Sequence, residues 1–411
     1  MKAFQFIFYC ILLLVLACNK PSQVELKDTN VNEIYFEHKE GVKYGEPYLS
    51  KSSKGEIYIS WITQESEINS FFYSKFEKGN WTSPKRIASG KDWFVNWADY
   101  PQMAVFEDGS LMAVFLEKSS SSTFSYDIKV TISKNGELWS EPFTLHDDET
   151  LSEHGFVSLL PWGEDMFVSW LDGRHTSSIS SEGHHDHDHA GAMTLRAAVL
   201  DTDGAILIEW ELDDMVCDCC QTTSTLGENG PIVFFRNRSD EEIRDIYFVS
   251  YTGIEWSEPM PVYHDNWNIS GCPVNGPQST SNGSEVAVTW YTAAKDSPIV
   301  KTAFFNSESK TFEEPIKIDL GNTIGRVATV MIDQKVALVS WMEKGTIYLR
   351  AVRKDGRKSK PILVGEASEL RSSGFPQLIF DEKDAILAWT VDNQGLSQIK
   401  TVKLPLDSII F

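Results

Sequence analysis

Short runs in which apolar and polar residues alternate, rich in β-branched and aromatic side chains, recur along the chain and predict strands. The clearest are Ile57 to Trp61, Leu111 to Leu116, Met166 to Trp170, Ile232 to Phe235, Val286 to Trp290, Val336 to Trp341 and Ala385 to Trp389. No long stretch carries a helical period. Each run is the second strand of a repeated unit: a short apolar run often begun by Pro, the alternating strand, a hairpin, and a polar exit. The exits read Trp81-Thr82-Ser83-Pro84, Trp139-Ser140-Glu141-Pro142 and Trp256-Ser257-Glu258-Pro259, with weaker versions at Phe312-Glu313-Glu314-Pro315 and Lys358-Ser359-Lys360-Pro361. Successive second strands lie about 50 to 65 residues apart, a period that implies propeller blades. There are seven units; the last, from about Gly374, holds three strands, and a strand from Glu33 to His38 supplies the fourth and closes the ring. A four-stranded blade exposes two apolar faces that only radially arranged neighbours bury, which accounts for an aromatic content of 12%. The expectation is an all-β fold, a seven-bladed β-propeller of four-stranded antiparallel blades, with six blades as the alternative.

The first residues follow a different pattern. Lys2 precedes an almost unbroken apolar run from Phe4 to Leu16, the layout of a secretory signal and too short for a stable membrane span. Val15-Leu16-Ala17-Cys18 looks like a bacterial lipoprotein box. Residues 1–17 are therefore expected to be a signal peptide, 18–32 a tether lipidated at Cys18, and 33–411 one propeller domain. The protein is expected in the cell envelope, outside the cytoplasm, anchored by its lipid in a bacterial membrane, the outer one by preference.

The formal net charge of -22 argues against a nucleic-acid partner, since phosphate binding needs a basic surface. A monomer is expected. Of six cysteines, Cys10 leaves with the signal and Cys18 carries lipid, so Cys217, Cys219, Cys220 and Cys272 remain. In an oxidising compartment four clustered thiols suit disulfides, a metal site or a redox pair.

Ile132-Ser133-Lys134-Asn135-Gly136-Glu137-Leu138-Trp139 resembles a degenerate Asp-box of sialidase-like propellers, with Lys134 where the usual Asp would sit. The strand pattern and the Trp-Ser-x-Pro exits, over about residues 40 to 405, are similar to bacterial proteins of that kind. More narrowly, Cys217-Asp218-Cys219-Cys220-Gln221-Thr222, Phe235-Arg236-Asn237-Arg238-Ser239-Asp240 with Ile243-Arg244-Asp245-Ile246, and Gly271-Cys272-Pro273-Val274-Asn275-Gly276-Pro277 resemble a subgroup of uncharacterised bacterial lipoproteins.

In a propeller, the loops leading into each innermost strand and the loops between second and third strands share one rim. That rule puts the chemically capable residues together: Asp99 before the second blade, His154 before the third, Cys217 to Cys220 before the fourth, Cys272 before the fifth, Arg326 before the sixth and Arg371 before the seventh. The insertion from Leu171 to Ala190 joins the second and third strands of the third blade and carries Asp172, Arg174, His175 and the run His184, His185, His187 and His189. Arg236, Arg238, Asp240 and Lys295 lie in equivalent loops. Thiolates and imidazoles suit soft or borderline ions, copper as Cu(I) or zinc, so the four cysteines are the candidate ligands and the histidine run an accessory. Cys219 and Cys220 are adjacent and cannot point the same way along a strand, so a turn or bulge is expected there.

The family resemblance implies a different set. Exo-sialidases hold a carboxylate with three arginines and use a Tyr activated by a Glu, with an Asp as acid. Here Arg174, Arg236, Arg238, Arg326 and Arg371 lie on the expected rim, with Tyr291, Glu153 and Asp99 as partners. The early Phe/Tyr-Arg-Ile-Pro signature is absent, and Arg244 is expected to pair with nearby carboxylates. A third reading is a non-catalytic propeller, stapled by disulfides, that presents its rim to a glycan or a protein.

Overall fold

The structure is a computed structural model that describes residues 25–27, 29–176, 191–393 and 395–411. Seven antiparallel sheets follow one another along the chain, each one blade. The alternating runs are the second strands of their blades, within Ile57–Glu65, Leu111–Lys118, Asp165–Asp172, Pro231–Arg236, Glu285–Thr292, Val336–Glu343 and Asp384–Asn393. The seventh blade is closed by the chain's own beginning. Asn32–Ile34 pairs antiparallel with Leu396–Pro405, in the register Asn32 to Lys403, Glu33 to Val402 and Ile34 to Thr401. The closing strand is shorter than the expected Glu33 to His38, because Phe36 and His38 leave the ladder and pack on Trp61 and Tyr44 of the first blade. No helix among the described residues is long and apolar enough to cross a membrane.

The core lies between blades. Trp61, Trp170, Trp290, Trp341 and Trp389 end or nearly end the alternating runs and are among the most deeply buried side chains. Burying an indole also buries its N–H, which is left without an acceptor at Trp61. Trp170 donates to Asp172 at 2.9 Å and Trp341 to Glu343 at 2.8 Å, each two residues on along the same strand. The exit tryptophans pack on the preceding blade. Trp81 donates to Thr401 of the seventh blade at 3.1 Å, Trp139 meets Tyr73 of the first edge-on, and Trp256 lies against Phe167 and Trp210 of the third. Their fixed position in the unit is inter-blade packing.

The turn that resembles an Asp-box keeps the expected conformation with a different cap. Asn135 Oδ1 accepts the backbone N–H groups of Glu137 and Leu138, each at 2.9 Å, and Ser133 Oγ donates to Leu138 O at 2.6 Å. Lys134 points outward to Asp203 at 3.0 Å. Asn135, one position beyond Lys134, therefore caps this turn.

The axis is filled on the rim side. Trp97, ahead of the second blade, stacks on Phe375, ahead of the seventh, with centroids 5.5 Å apart and planes 5° from parallel. The guanidinium of Arg326, on the innermost strand of the sixth blade, lies over the same indole at 5.0 Å. Tyr48 and Tyr100 complete the packing from the first two blades.

Neighbouring blades are latched by side chains that reach bulged backbone. The innermost strands of the third and sixth blades bulge at Phe156 and Arg326, both at positive φ, which takes their N–H groups out of the ladder. Asp99 accepts the Phe156 N–H at 2.7 Å, and Asn275 accepts that of Arg326 at 2.8 Å, each from the blade before. Between the fourth and fifth blades the contact is backbone on backbone: a Cβ on Gly276 would stand 2.1 Å from the carbonyl oxygen of Gln221. Gly276→Ala is expected to cost about 3 kcal/mol, since neither main chain can yield without disturbing its blade. Gly271→Ala, which meets nothing within 4 Å, is expected to stay within about 0.5 kcal/mol of the parent. Denaturant unfolding of both variants checks the pair; equal stabilities would contradict the close-approach argument.

Candidate functional site: a buried thiol cluster on the rim

The outermost strand of the third blade ends at Val216, and the innermost strand of the fourth begins at Thr223. Between them Cys217 to Cys220 form a turn, the departure from strand geometry that two adjacent cysteines require. The turn is fixed at its start, where the Cys217 N–H donates to Arg236 O at 2.9 Å. Asp218 at its apex accepts the Met193 N–H at 3.4 Å and faces Arg238 at the same distance.

Folding the segment this way converges the sulfurs. Cys217 Sγ lies 3.7 Å from Cys220 Sγ and 4.0 Å from Cys219 Sγ, and all three lie within 4.8 Å of one another. Cys217 and Cys220 are 1% exposed and Cys219 is half-buried. All four cysteines are free thiols, the separations being well beyond the ~2.05 Å of a disulfide. The disulfide alternative, a staple from Cys272 to one of the three, is not the state of this structure. Cys272 lies on the solvent side of the three, near enough for the Cys219 thiol to influence its own.

The cluster is electrostatically polarised. The Cys219 and Cys220 thiols hydrogen-bond to Cys217, and with the charges of Arg236 and Arg244 they hold Cys217 well below the usual thiol range. The reciprocal contacts keep Cys219 protonated, and burial pushes Cys220 up to about 12. Cys272 is lowered by its contact with Cys219. Arg244 Nη1 stands 3.3 Å from Cys217 Sγ. Burial disfavours its charge, and the Cys217 sulfur together with Glu242 more than restores it. Glu242 binds Arg244 and Arg238, both at 2.7 Å. Arg244 therefore pairs with a carboxylate, as expected, and also supplies the cluster's positive charge. That second role had no signal in sequence beyond its place in a rim loop. His184, His185, His187 and His189 lie outside the described residues, as does Cys18.

The other rim candidates go elsewhere. Arg236 spends its guanidinium on the carbonyls of Asn275, Arg244 and Tyr291, and lies over Trp267. Arg326 donates to the carbonyls of Ser368, Glu369 and Leu370, and burial lowers it to about 10. Arg174 grips Asp172 with two hydrogen bonds of 2.8 Å. Arg371 faces the edge of the axial plug, 6.0 Å from the Trp97 ring. Arg326 and Arg371 thus share the Trp97 indole, while Arg236 and Arg174 are engaged by other partners. Tyr291 packs edge-on against Trp267. The phenol that meets Glu153 and Asp99 is Tyr126, which the sequence did not single out: its hydroxyl is 2.5 Å from Glu153 and 3.3 Å from Asp99. It is fully buried beneath Phe94. One hydroxyl proton cannot serve two carboxylates, and burial accordingly lifts Asp99 to about 8 and Glu153 to about 7.

No protein-family model matches the sequence, and no curated protein does. Among solved structures the chain is similar in fold to polysaccharide lyase Uly1, with 8% identity, 94% of each chain covered and a TM-score of 0.52. The α-L-arabinofuranosidase Arb93A from Fusarium graminearum follows with 13% identity, 94% of this chain and 99% of that one covered, and a TM-score of 0.49. The Hadza microbial sialidase Hz136 matches at 12% identity, 86% of this chain and 77% of that one, and 0.49. At these identities the likeness is one of fold alone.

Two titrations test the electrostatics. A thiol held below its unfolded value of ~8.5 stabilises the fold fully above that pH and loses its contribution as pH falls through the folded value. Arg244→Met should raise the thiolate midpoint of Cys217, read as thiolate ultraviolet absorbance against pH, and narrow that window; an unchanged midpoint would contradict the pairing. For Asp99 the sign is opposite. Folded protein keeps a proton that unfolded chain releases above ~4, so the contribution present below that pH is lost as pH rises through about 8. Asp99→Asn, which can still accept the Phe156 N–H, should gain stability relative to the parent as pH rises across that range. A constant difference would count against a buried acid.

Proposed function

We propose that this propeller binds a soft metal ion, Cu(I) or Zn(II), through Cys217, Cys219 and Cys220, with Cys272 closing the site from solvent. The observation that carries the reading is the convergence of three sulfurs on one turn. For metal–sulfur bonds of ~2.3 Å, sulfur–sulfur edges are roughly 3.8 Å in a tetrahedron and about 4.0 Å in a trigonal plane. The separations of 3.7 and 4.0 Å already match such edges. Little rearrangement is needed beyond loss of the protons on Cys219 and Cys220, which binding would displace.

The surroundings support a charged sulfur site. Three thiolates and a monovalent ion, or four and a divalent one, leave a net negative charge in a buried pocket. Arg244 in contact, with Arg236 behind it, offsets that charge. Soft sulfur donors select Cu(I) and Zn(II) over magnesium or calcium. Cys272 is the one exposed thiol of the four and offers a route by which an ion is handed from solvent to the buried three. On the reading of a lipidated Cys18, the ion would be met in the cell envelope, and the histidine run would present further imidazoles to it.

The same thiols allow a second reading, a redox pair, because Cys217 is a stabilised thiolate with Cys220 three residues on and 3.7 Å away. Elemental analysis and thiol counting on protein purified under reducing, chelator-free conditions separate the two. The metal reading expects close to one equivalent of copper or zinc, lost in Cys217→Ser and in Cys220→Ser. Metal-free protein that takes up neither ion and forms a disulfide between Cys217 and Cys220 under mild oxidant would overturn it in favour of the redox pair.

A further inference from the structure

One blade away from the thiols, a second cluster is built on different chemistry. His146 lies in the loop between the second and third blades and His154 at the start of the third blade's innermost strand. Their rings stack, with centroids 3.6 Å apart and planes 10° from parallel. Both are buried, His146 at 7% exposure and His154 at 0%. A single carboxylate, Asp148, lies against one edge of the pair: Oδ1 is 2.6 Å from His146 Nδ1 and Oδ2 is 3.1 Å from His154 Nε2. Thr150 donates to the same carboxylate at 2.6 Å.

These contacts fix both tautomers. A carboxylate accepts and does not donate, so His146 carries its proton on Nδ1 and His154 on Nε2. The opposite ring nitrogens, His146 Nε2 and His154 Nδ1, are then bare acceptors, and both are buried without a hydrogen-bond partner. Buried polar atoms left in that state are rare. Asp127 comes to the same place from the third strand of the second blade. Its Oδ2 faces Lys129 at 3.3 Å, while Oδ1 stands 3.8 Å from His146 Nε2. Asp127, His146 and His154 can each offer a ligand atom within 4.8 Å of the others.

We propose that His146, His154 and Asp127 form a second metal site, for a borderline divalent cation of the zinc class, independent of the thiols. Two imidazoles and one carboxylate match the donor set such ions take, with positions left open. The imidazole N–H groups donating to Asp148 are the arrangement that orients ligating histidines. The adjacent grouping of Asp148, His154 and Asp172 is not the site, because Asp172 is occupied by Arg174 and Trp170 and Asp148 by both imidazoles.

Cobalt(II) serves as the probe, since thiolate-bound cobalt shows intense near-ultraviolet charge transfer and cobalt on nitrogen and oxygen does not. Full-length, metal-stripped protein should take up an equivalent without that charge transfer. Asp127→Asn should weaken this uptake at least about tenfold, and Asp148→Asn by roughly 10- to 100-fold through loss of ring orientation, both with the parent's circular dichroism. In the unsubstituted protein, zinc should shift the ring signals of His146 and His154 in imidazole NMR. Unchanged uptake in Asp127→Asn, or unmoved His146 and His154 signals, would overturn the proposal. Loss of the charge-transfer band alone would instead count against the thiol site and leave this one standing.

Discussion

Every blade has two apolar faces, and a sheet with two apolar faces is stable only between neighbours, so the ring must close. Here closure rests on three backbone-paired residues, Asn32 to Ile34 against Thr401 to Lys403. They join the first described strand to the last and leave no blade without a partner. The buried tryptophans of the second strands and the exit tryptophans fill the wedges between sheets, while Trp97, Phe375, Tyr48 and Tyr100 fill the axis on the rim side. With wedges and axis closed by packing, polar chemistry is left to the rim loops.

Those loops use charged groups in two ways. Asp99, Asn275, Arg236 and Arg326 are spent on structure, holding bulged N–H groups and buried carbonyls across blade boundaries. Arg236 puts four hydrogen bonds on backbone carbonyls, and turning it to a substrate carboxylate would leave those carbonyls unpaired, at a cost of about 1–3 kcal/mol each. The thiol turn and the stacked histidines differ: the three thiols contact chiefly one another and Arg244, and one nitrogen of each ring has no partner. Unspent ligand atoms at buried positions are what distinguish a site from a latch on this rim.

Much of this was legible in sequence because two signals are local. Period-two runs, five of the seven ending in Trp, marked the blades, and the rim rule placed Cys217 to Cys220 on one loop of the rim with Cys272 on the next. The partners of the arginines were not legible, since they are backbone carbonyls, which every residue has. Tyr126 was passed over for Tyr291 because a phenol's neighbours depend on which strand end bends toward Glu153. Asp127, His146 and Asp148 escaped for a similar reason: they sit on one strand and one loop with no motif spacing, and only the packing between the second and third blades unites them with His154. Asn135 caps the turn that resembles an Asp-box, because hydrogen-bond geometry sets the role and alignment to a pattern does not.

The central claim, that the rim turn is a soft-metal site, is tested most directly by X-ray absorption at the metal edge of copper- or zinc-loaded protein. A shell of three or four sulfurs at ~2.3 Å is predicted, falling by one scatterer in Cys219→Ser. A shell of nitrogen and oxygen alone, in protein whose Cys217, Cys219 and Cys220 remain reduced, would contradict it.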